Sequence, residues 1–269
     1  MALESFAPLT LVALRFTISG TLMIAILLLR GYQFPKGRDL TSICFTGFLT
    51  LGVGNCGVVL AETLIASGIV GLIVTISPFW MVGMEALLPG GARLHLPTIG
   101  GMAVGLTGAA LLFTPEAGPH MIDRNLLTGF LLLQTGSASW SFGSIFQKRR
   151  AGRAHPMVVG GIQQLTAGLA VLPFALLVPH HPVHWSWRGV MALCYLIAFG
   201  SMVAYSAYVY ALGHLPVAMV SLHTYVNCVV AVALGWLFYR EPFGTKEALA
   251  MTVIFIGVAV VKRYSAKAT

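Results

Sequence analysis

Few side chains in this sequence put an ionisable or hydrogen-bonding group where such a group is costly. Arg15, Glu62, Glu85 and His223 each lie in or at the edge of a long apolar run, and Pro78 interrupts the run that holds Glu85, at "LIVTISPFWMV". An ionisable group inside an apolar span points to function by default. The chemistry these residues suggest is recognition and proton exchange, not bond breaking. There is no His-Glu-x-x-His, no pair of acids within a run and no serine with a partnered histidine, so the convergent nucleophile, base or metal ligands of an enzyme are not seen. His223, with an ordinary pKa of about 6.5, suits either proton coupling or a hydrogen-bonded helix contact. Arg15 and Glu62 fall toward the same end of neighbouring runs and are expected to pair as a latch, or else Arg15 meets a substrate carboxylate. Glu85 lies near the end of its run and is expected to reach the interface.

Two motif look-alikes fail on context. "GVGNCG", Gly52 to Gly57, fits a dinucleotide-binding glycine pattern but lies in an apolar run with no acid about 20 residues on, so close helix contact explains it better. "HHPVH", His180 to His184, holds three histidines around a proline in a connector and is not read as a metal site. Cys44, Cys56, Cys194 and Cys228 fall inside apolar runs without ligand spacing and read as free thiols. No metal or cofactor is expected.

The elements that must position these residues follow from composition. With 57% hydrophobic and 9% charged residues among 269, the chain falls far below the roughly 25% charged content of a soluble domain. Apolar runs of about 20 residues match a ~30 Å hydrocarbon core crossed at 1.5 Å per residue. They occupy residues 8–30, 40–61, 66–88, 96–114, 126–147, 157–179, 189–211, 216–238 and 246–263, which predicts an all-α polytopic membrane protein. With the connector after the first run inside the cell, eleven basic residues fall inside: Arg30, Lys36, Arg38, Arg93, Lys148, Arg149, Arg150, Arg153, Lys262, Arg263 and Lys267. Arg124, Arg188, Arg240 and Lys246 fall outside. That bias predicts a cytoplasmic C-terminus and explains the net charge of +8 without nucleic acid as a partner. "MALESFAPLT" lacks the basic n-region and cleavage site of a signal peptide.

The chain also repeats itself. An offset of 149 (227 minus 78) places Ser67 on Pro216, Pro78 on Asn227 and Gly108 on Gly257, and an offset of 148 places Pro8 on Pro156 and Gly20 on Gly168. The second copy, 126–264, holds five runs and the first, 1–114, four. Five is odd, so the complete second copy enters the membrane in the opposite sense to the first. A mid-span proline survives where hydroxyls or neighbouring helices satisfy the groups it frees, and Thr75 and Ser77 are the local candidates. Pro78 and Asn227 are expected to mark two faces of one cavity, lined further by Asn55, Ser77, Trp80, Ser137, Trp140, Tyr205, Tyr208, His223 and Tyr225. Packing and helix-gluing roles compete with that reading for each of them. Trp185 and Trp187 are interface anchors.

"APLTLVALRFTISG", "IASGIVGLIVTISPFW", "ALGHLPVAMVSLHTYVNCVVAVALGWLFYREPF" and "IFIGVAVV" together resemble the EamA repeats of the drug/metabolite transporter superfamily, over essentially the whole chain. "YREPF" resembles the family's gly-glu-pro turn with Arg240 for glycine, and "GGARL" has Ala92 in place of the acid. "SASWSFGS" resembles its trp-gly-ser element with Ser141 where glycine is usual. The resemblance implies a ten-helix exporter of small metabolites, amino acids or drugs, working by alternating access in the inner membrane, with proton or exchange coupling and possible homo-oligomers. Nine of those ten helices are expected here, the usual first one having no counterpart before Pro8. A transporter fragment without its own activity, or less readily an intramembrane enzyme, are the other readings.

Overall fold

The computed structural model describes residues 6–65, 67–91, 95–113, 124–150, 154–177, 186–230 and 244–265. These residues form ten helices: α1 (Pro8–Leu29), α2 (Arg38–Ala61), α3 (Ser67–Val74), α4 (Ser77–Leu87), α5 (Leu96–Phe113), α6 (Arg124–Arg149), α7 (Pro156–Leu177), α8 (Trp187–His214), α9 (Val217–Val230) and α10 (Thr245–Ser265). Helix occupies part of every expected apolar run. By length and composition α1, α2, α7 and α8 can each cross a membrane. The "YREPF" turn, most of "GGARL" and the "HHPVH" histidines lie outside the described residues.

The third run is not one kinked helix but two, and the reason is local. The chain turns at Thr75 and Ile76, and Pro78 sits in the first turn of α4, where its missing N–H removes no intrahelical bond. The carbonyl four residues back, Val74 O, would lose its helical donor at a proline. Ser77 Oγ supplies one instead, donating to Val74 O at 2.6 Å. The hydroxyl expected to satisfy the freed backbone therefore does so, and its oxygen also lies 3.0 Å from Ser137 Oγ of α6, within hydrogen-bond distance.

Two helices carry a π-helical stretch, Phe48–Val53 in α2 and Leu196–Ala204 in α8. Their starts are 148 residues apart (196 minus 48), the offset that relates Pro8 to Pro156. Such widened turns free carbonyls from the i→i−4 ladder and commonly lie at functional places. Side chains bond main-chain carbonyls beside or within both stretches. Thr50 Oγ1 donates to Thr46 O at 2.7 Å, and Ser201 O accepts from Gln164 Nε2 of α7 at 3.1 Å.

Two helix pairs form the tightest contacts, α1 against α7 and α5 against α10. Glycines permit both approaches. Gly20 of α1 faces Leu165 backbone and Gly168 of α7 faces the backbone of Phe16 and Thr17, so neither position has room for a Cβ. Gly257 of α10 lies likewise against Gly101 and Gly105 of α5, and Gly108 against Ala250 and Ile254. Small residues bring membrane helices into backbone contact where dispersion is the main attraction. One buried core joins α1, α2, α7 and α8 around Phe16, Leu51, Val171 and Tyr205. A second joins α5, α9 and α10 around Met102, Leu222, Tyr225 and Ile254.

Candidate functional site

The helices converge on an aromatic cluster with its polar tips paired. Trp140 of α6 meets Tyr205 and Tyr208 of α8 edge to face, with ring centroids 6.2 and 5.5 Å away, and the two tyrosines stack at 5.9 Å. His223 of α9 stands edge-on to Tyr208 at 5.3 Å. Such tilted geometries suit aromatic quadrupoles. Tyr208 Oη accepts from Trp140 Nε1 at 2.9 Å and bonds Ser144 Oγ at 2.7 Å. His223 Nδ1 lies 2.9 Å from Val220 O, which fixes the ring. Trp140, Tyr205, Tyr208 and His223, all singled out in the sequence, are thus brought together.

Beneath the rings runs a polar chain that sequence reasoning missed. Gln163 of α7 is fully buried and makes three bonds: Tyr205 Oη donates to its Oε1 at 2.9 Å, and its Nε2 donates to Thr46 Oγ1 at 2.8 Å and to Gln147 Oε1 at 2.7 Å. Thr50 Oγ1 lies 3.3 Å from Tyr205 Oη. The next residue, Gln164, is also fully buried; its Oε1 accepts from Ser19 Oγ of α1 at 2.5 Å. Buried amides persist when both ends are satisfied, because an unpaired one costs the desolvation of the group. Two consecutive glutamines inside "GGIQQLTAG" were the available signal.

The other expected residues fall elsewhere. Ser77, Pro78, Trp80 and Ser137 form a second group where α4 meets α6; Trp80 Nε1 donates to Gln134 Oε1 at 2.7 Å. Tyr225 is fully buried and points away, donating to Met102 O of α5 at 2.9 Å. Asn55 is half-buried and Asn227 exposed, and neither makes a side-chain hydrogen bond among the described residues. The expected Arg15–Glu62 latch does not form among the described residues. Arg15 Nε donates instead to Ser201 Oγ at 2.8 Å, its guanidinium 4.9 Å from the Phe16 ring centroid. The π stretch of α8 passes beside α1 and presents that hydroxyl at the level of Arg15, whereas Glu62 caps the far end of α2. Replacing Arg15 with leucine should therefore destabilise the α1–α8 contact without any effect of Glu62→Gln, as read by thermal unfolding of both purified variants; equal losses would restore the latch.

The sequence profile of the EamA-like transporter family matches residues 1–114 and 127–263. The chain belongs to this family. EamA proteins are transporters and not enzymes, so the apolar helices are those of a polytopic membrane protein. YedA of Escherichia coli K12, described as an uncharacterized inner membrane transporter, is 33% identical over 263 residues, covering 97% of this chain and 83% of that protein. The aromatic amino acid exporter YddG of Ancylobacter novellus is 31% identical over 187 residues, covering 69% and 64%. A probable amino-acid metabolite efflux pump of Escherichia coli K12 is 23% identical over 204 residues, covering 72% and 67%. Among solved structures, one crystal structure superposes with a TM-score of 0.80 at 25% identity, covering 96% of this chain and 89% of that one.

Proposed function

We propose that this EamA protein exports a small amphipathic organic solute, an amino acid or related metabolite, across the inner membrane by alternating access. The observation that carries the reading is the interior cluster of Trp140, Tyr205, Tyr208 and His223 seated on Gln163, an aromatic wall with amide and hydroxyl groups at its base. That is the lining expected of a site that binds an apolar side chain and orients a polar head. The names of two relatives, an aromatic amino acid exporter and an amino-acid metabolite efflux pump, support the solute class. Proton or exchange coupling would supply the driving force, with His223 as the titratable group nearest the rings.

The same proposal includes two inverted repeats, 1–114 and 126–264, and a cytoplasmic C-terminus. The two separately matched stretches, the π segments 148 residues apart and the reciprocal glycine crossings support it. Tags placed beside Lys36 and Arg149 should both react from the cell interior; labelling from opposite sides would sink the threading.

Efflux from cells across a metabolite panel tests the function. Tyr208→Phe removes an acceptor for Trp140 and a partner for Ser144, and should lower efflux roughly fivefold to tenfold, the equivalent of one buried hydrogen bond. Membrane insertion should be unchanged. Full efflux in Tyr208→Phe and Trp140→Leu alike would remove the cluster from the transport path.

A further inference from the structure

A cavity of about 440 Å³ opens between the start of α2, the end of α6, the start of α7 and the end of α8. It is separate from the aromatic cluster but touches its base, because Thr46 and Gln147 line it and both bond Gln163 Nε2. On the threading proposed above, the connectors at its mouth are the basic, cytoplasmic ones.

Its polar equipment is of two signs. Asp39 stands in the first turn of α2. Lys148 stands in the last turn of α6, where a cation complements the helix dipole, and Arg150 follows directly after the helix. Neither cation swings freely. Lys148 Nζ donates to Leu215 O at 2.6 Å, and the Arg150 guanidinium lies 4.7 Å from the Phe146 ring centroid. At the floor, Gln147 gives its carbonyl to Gln163, while its amide nitrogen has no partner among the described residues. Ser42 adds a hydroxyl to the wall. The volume falls in the range that encloses a small organic molecule.

From this juxtaposition we infer that the cavity is a loading site for zwitterions of the amino-acid class, with Lys148 and Arg150 taking the carboxylate and Asp39 the ammonium. The inference rests on the transport reading and adds a binding site and a charge rule to it. A simple anion meets Asp39 as a like charge, and a simple cation meets Lys148 and Arg150, so each forfeits one contact and gains a repulsion. The floor amides then mark the boundary between loading and the aromatic cluster. Displacing the Gln147–Gln163 bond opens that boundary.

The test reads binding without transport. In the full chain with Cys44, Cys56, Cys194 and Cys228 changed to alanine and placed in nanodiscs, Ser42→Cys is labelled with a water-soluble maleimide. The probes are L-phenylalanine, its amide, which lacks the carboxylate, and 3-phenylpropionate, which lacks the ammonium. L-Phenylalanine should slow labelling at least threefold, and each analogue should need about ten times the concentration. Asp39→Asn should erase the discrimination against 3-phenylpropionate and Arg150→Gln that against the amide. Gln33→Cys at the rim is the second reporter if Ser42→Cys is not monodisperse. Absence of protection at both reporters, or equal protection by all three probes, overturns the loading site, as does tighter protection by 3-phenylpropionate. Protection with no efflux of any solute would sink the transport reading alone; efflux with no protection would sink this inference alone.

Discussion

Gly168→Leu should remove the folded transporter from the membrane fraction. A Cβ at position 168 would lie against the Thr17 amide and hydroxyl and within 2.9 Å of the Phe16 carbonyl carbon. Backbone cannot rotate aside as a flexible side chain can, so the helices must separate along the contact that binds α1 to α7. Overpacking of a well-packed core costs about 1 to 3 kcal/mol and more where nothing yields. The expected result is loss of monodisperse protein after detergent extraction, with the same outcome for Gly257→Leu, where Gly105 N would stand 2.6 Å from the new Cβ. Gly83→Ala is the control, since nothing lies within 4 Å of a Cβ there. It should be neutral or stabilising by less than about 1 kcal/mol, because glycine is a poor helix former. A monodisperse Gly168→Leu protein with an unchanged unfolding temperature would mean that α1 and α7 are not in backbone contact.

The second large effect is on transport. Gln163→Leu keeps the volume but leaves the Tyr205 hydroxyl without its glutamine acceptor and the Gln147 carbonyl without a donor. Each orphaned buried group costs about 1 to 3 kcal/mol. Thr50 still lies 3.3 Å from Tyr205 Oη and offsets part of the first loss. Efflux should fall at least tenfold while the protein still reaches the membrane, because the ring of Tyr205 is held against Trp140 and Tyr208 by that hydroxyl. Tyr205→Phe alone should cost less, and the double variant should cost clearly less than the sum, as for two groups that share a bond. Additive losses would show that the two act separately.

How much of this was readable beforehand depended on the kind of signal. That helix would occupy part of each apolar run was legible because a bilayer imposes length and apolarity on what crosses it. The Ser77 hydroxyl was legible because proline frees a known carbonyl at a known distance along the chain. The aromatic residues were legible as types, and four of them do meet. What connects them was not. Thr50, Ser144 and Ser201 look like any hydroxyl in a span, and many such hydroxyls bond only their own helix, as Thr107 does to Ala103 O at 3.0 Å. Gln163 and Gln164 carried a stronger signal, two amides in an apolar run, yet nothing in the run says which helices they join. Arg15 was given the wrong partner for the same reason. Glu62 is close along a plausible path of the chain, but Ser201, 186 residues away, is closer in space.

The paired glycine crossings limit how the two halves of such a protein can move. Each ties a helix of one proposed repeat to its counterpart in the other, α1 to α7 and α5 to α10, at a separation where main chains interlock. Surfaces meshed that closely resist sliding but tolerate a small change of angle, as the rivet of a pair of scissors does. On the alternating access proposed above, a change of angle that opens one end of the bundle obliges the other end to close.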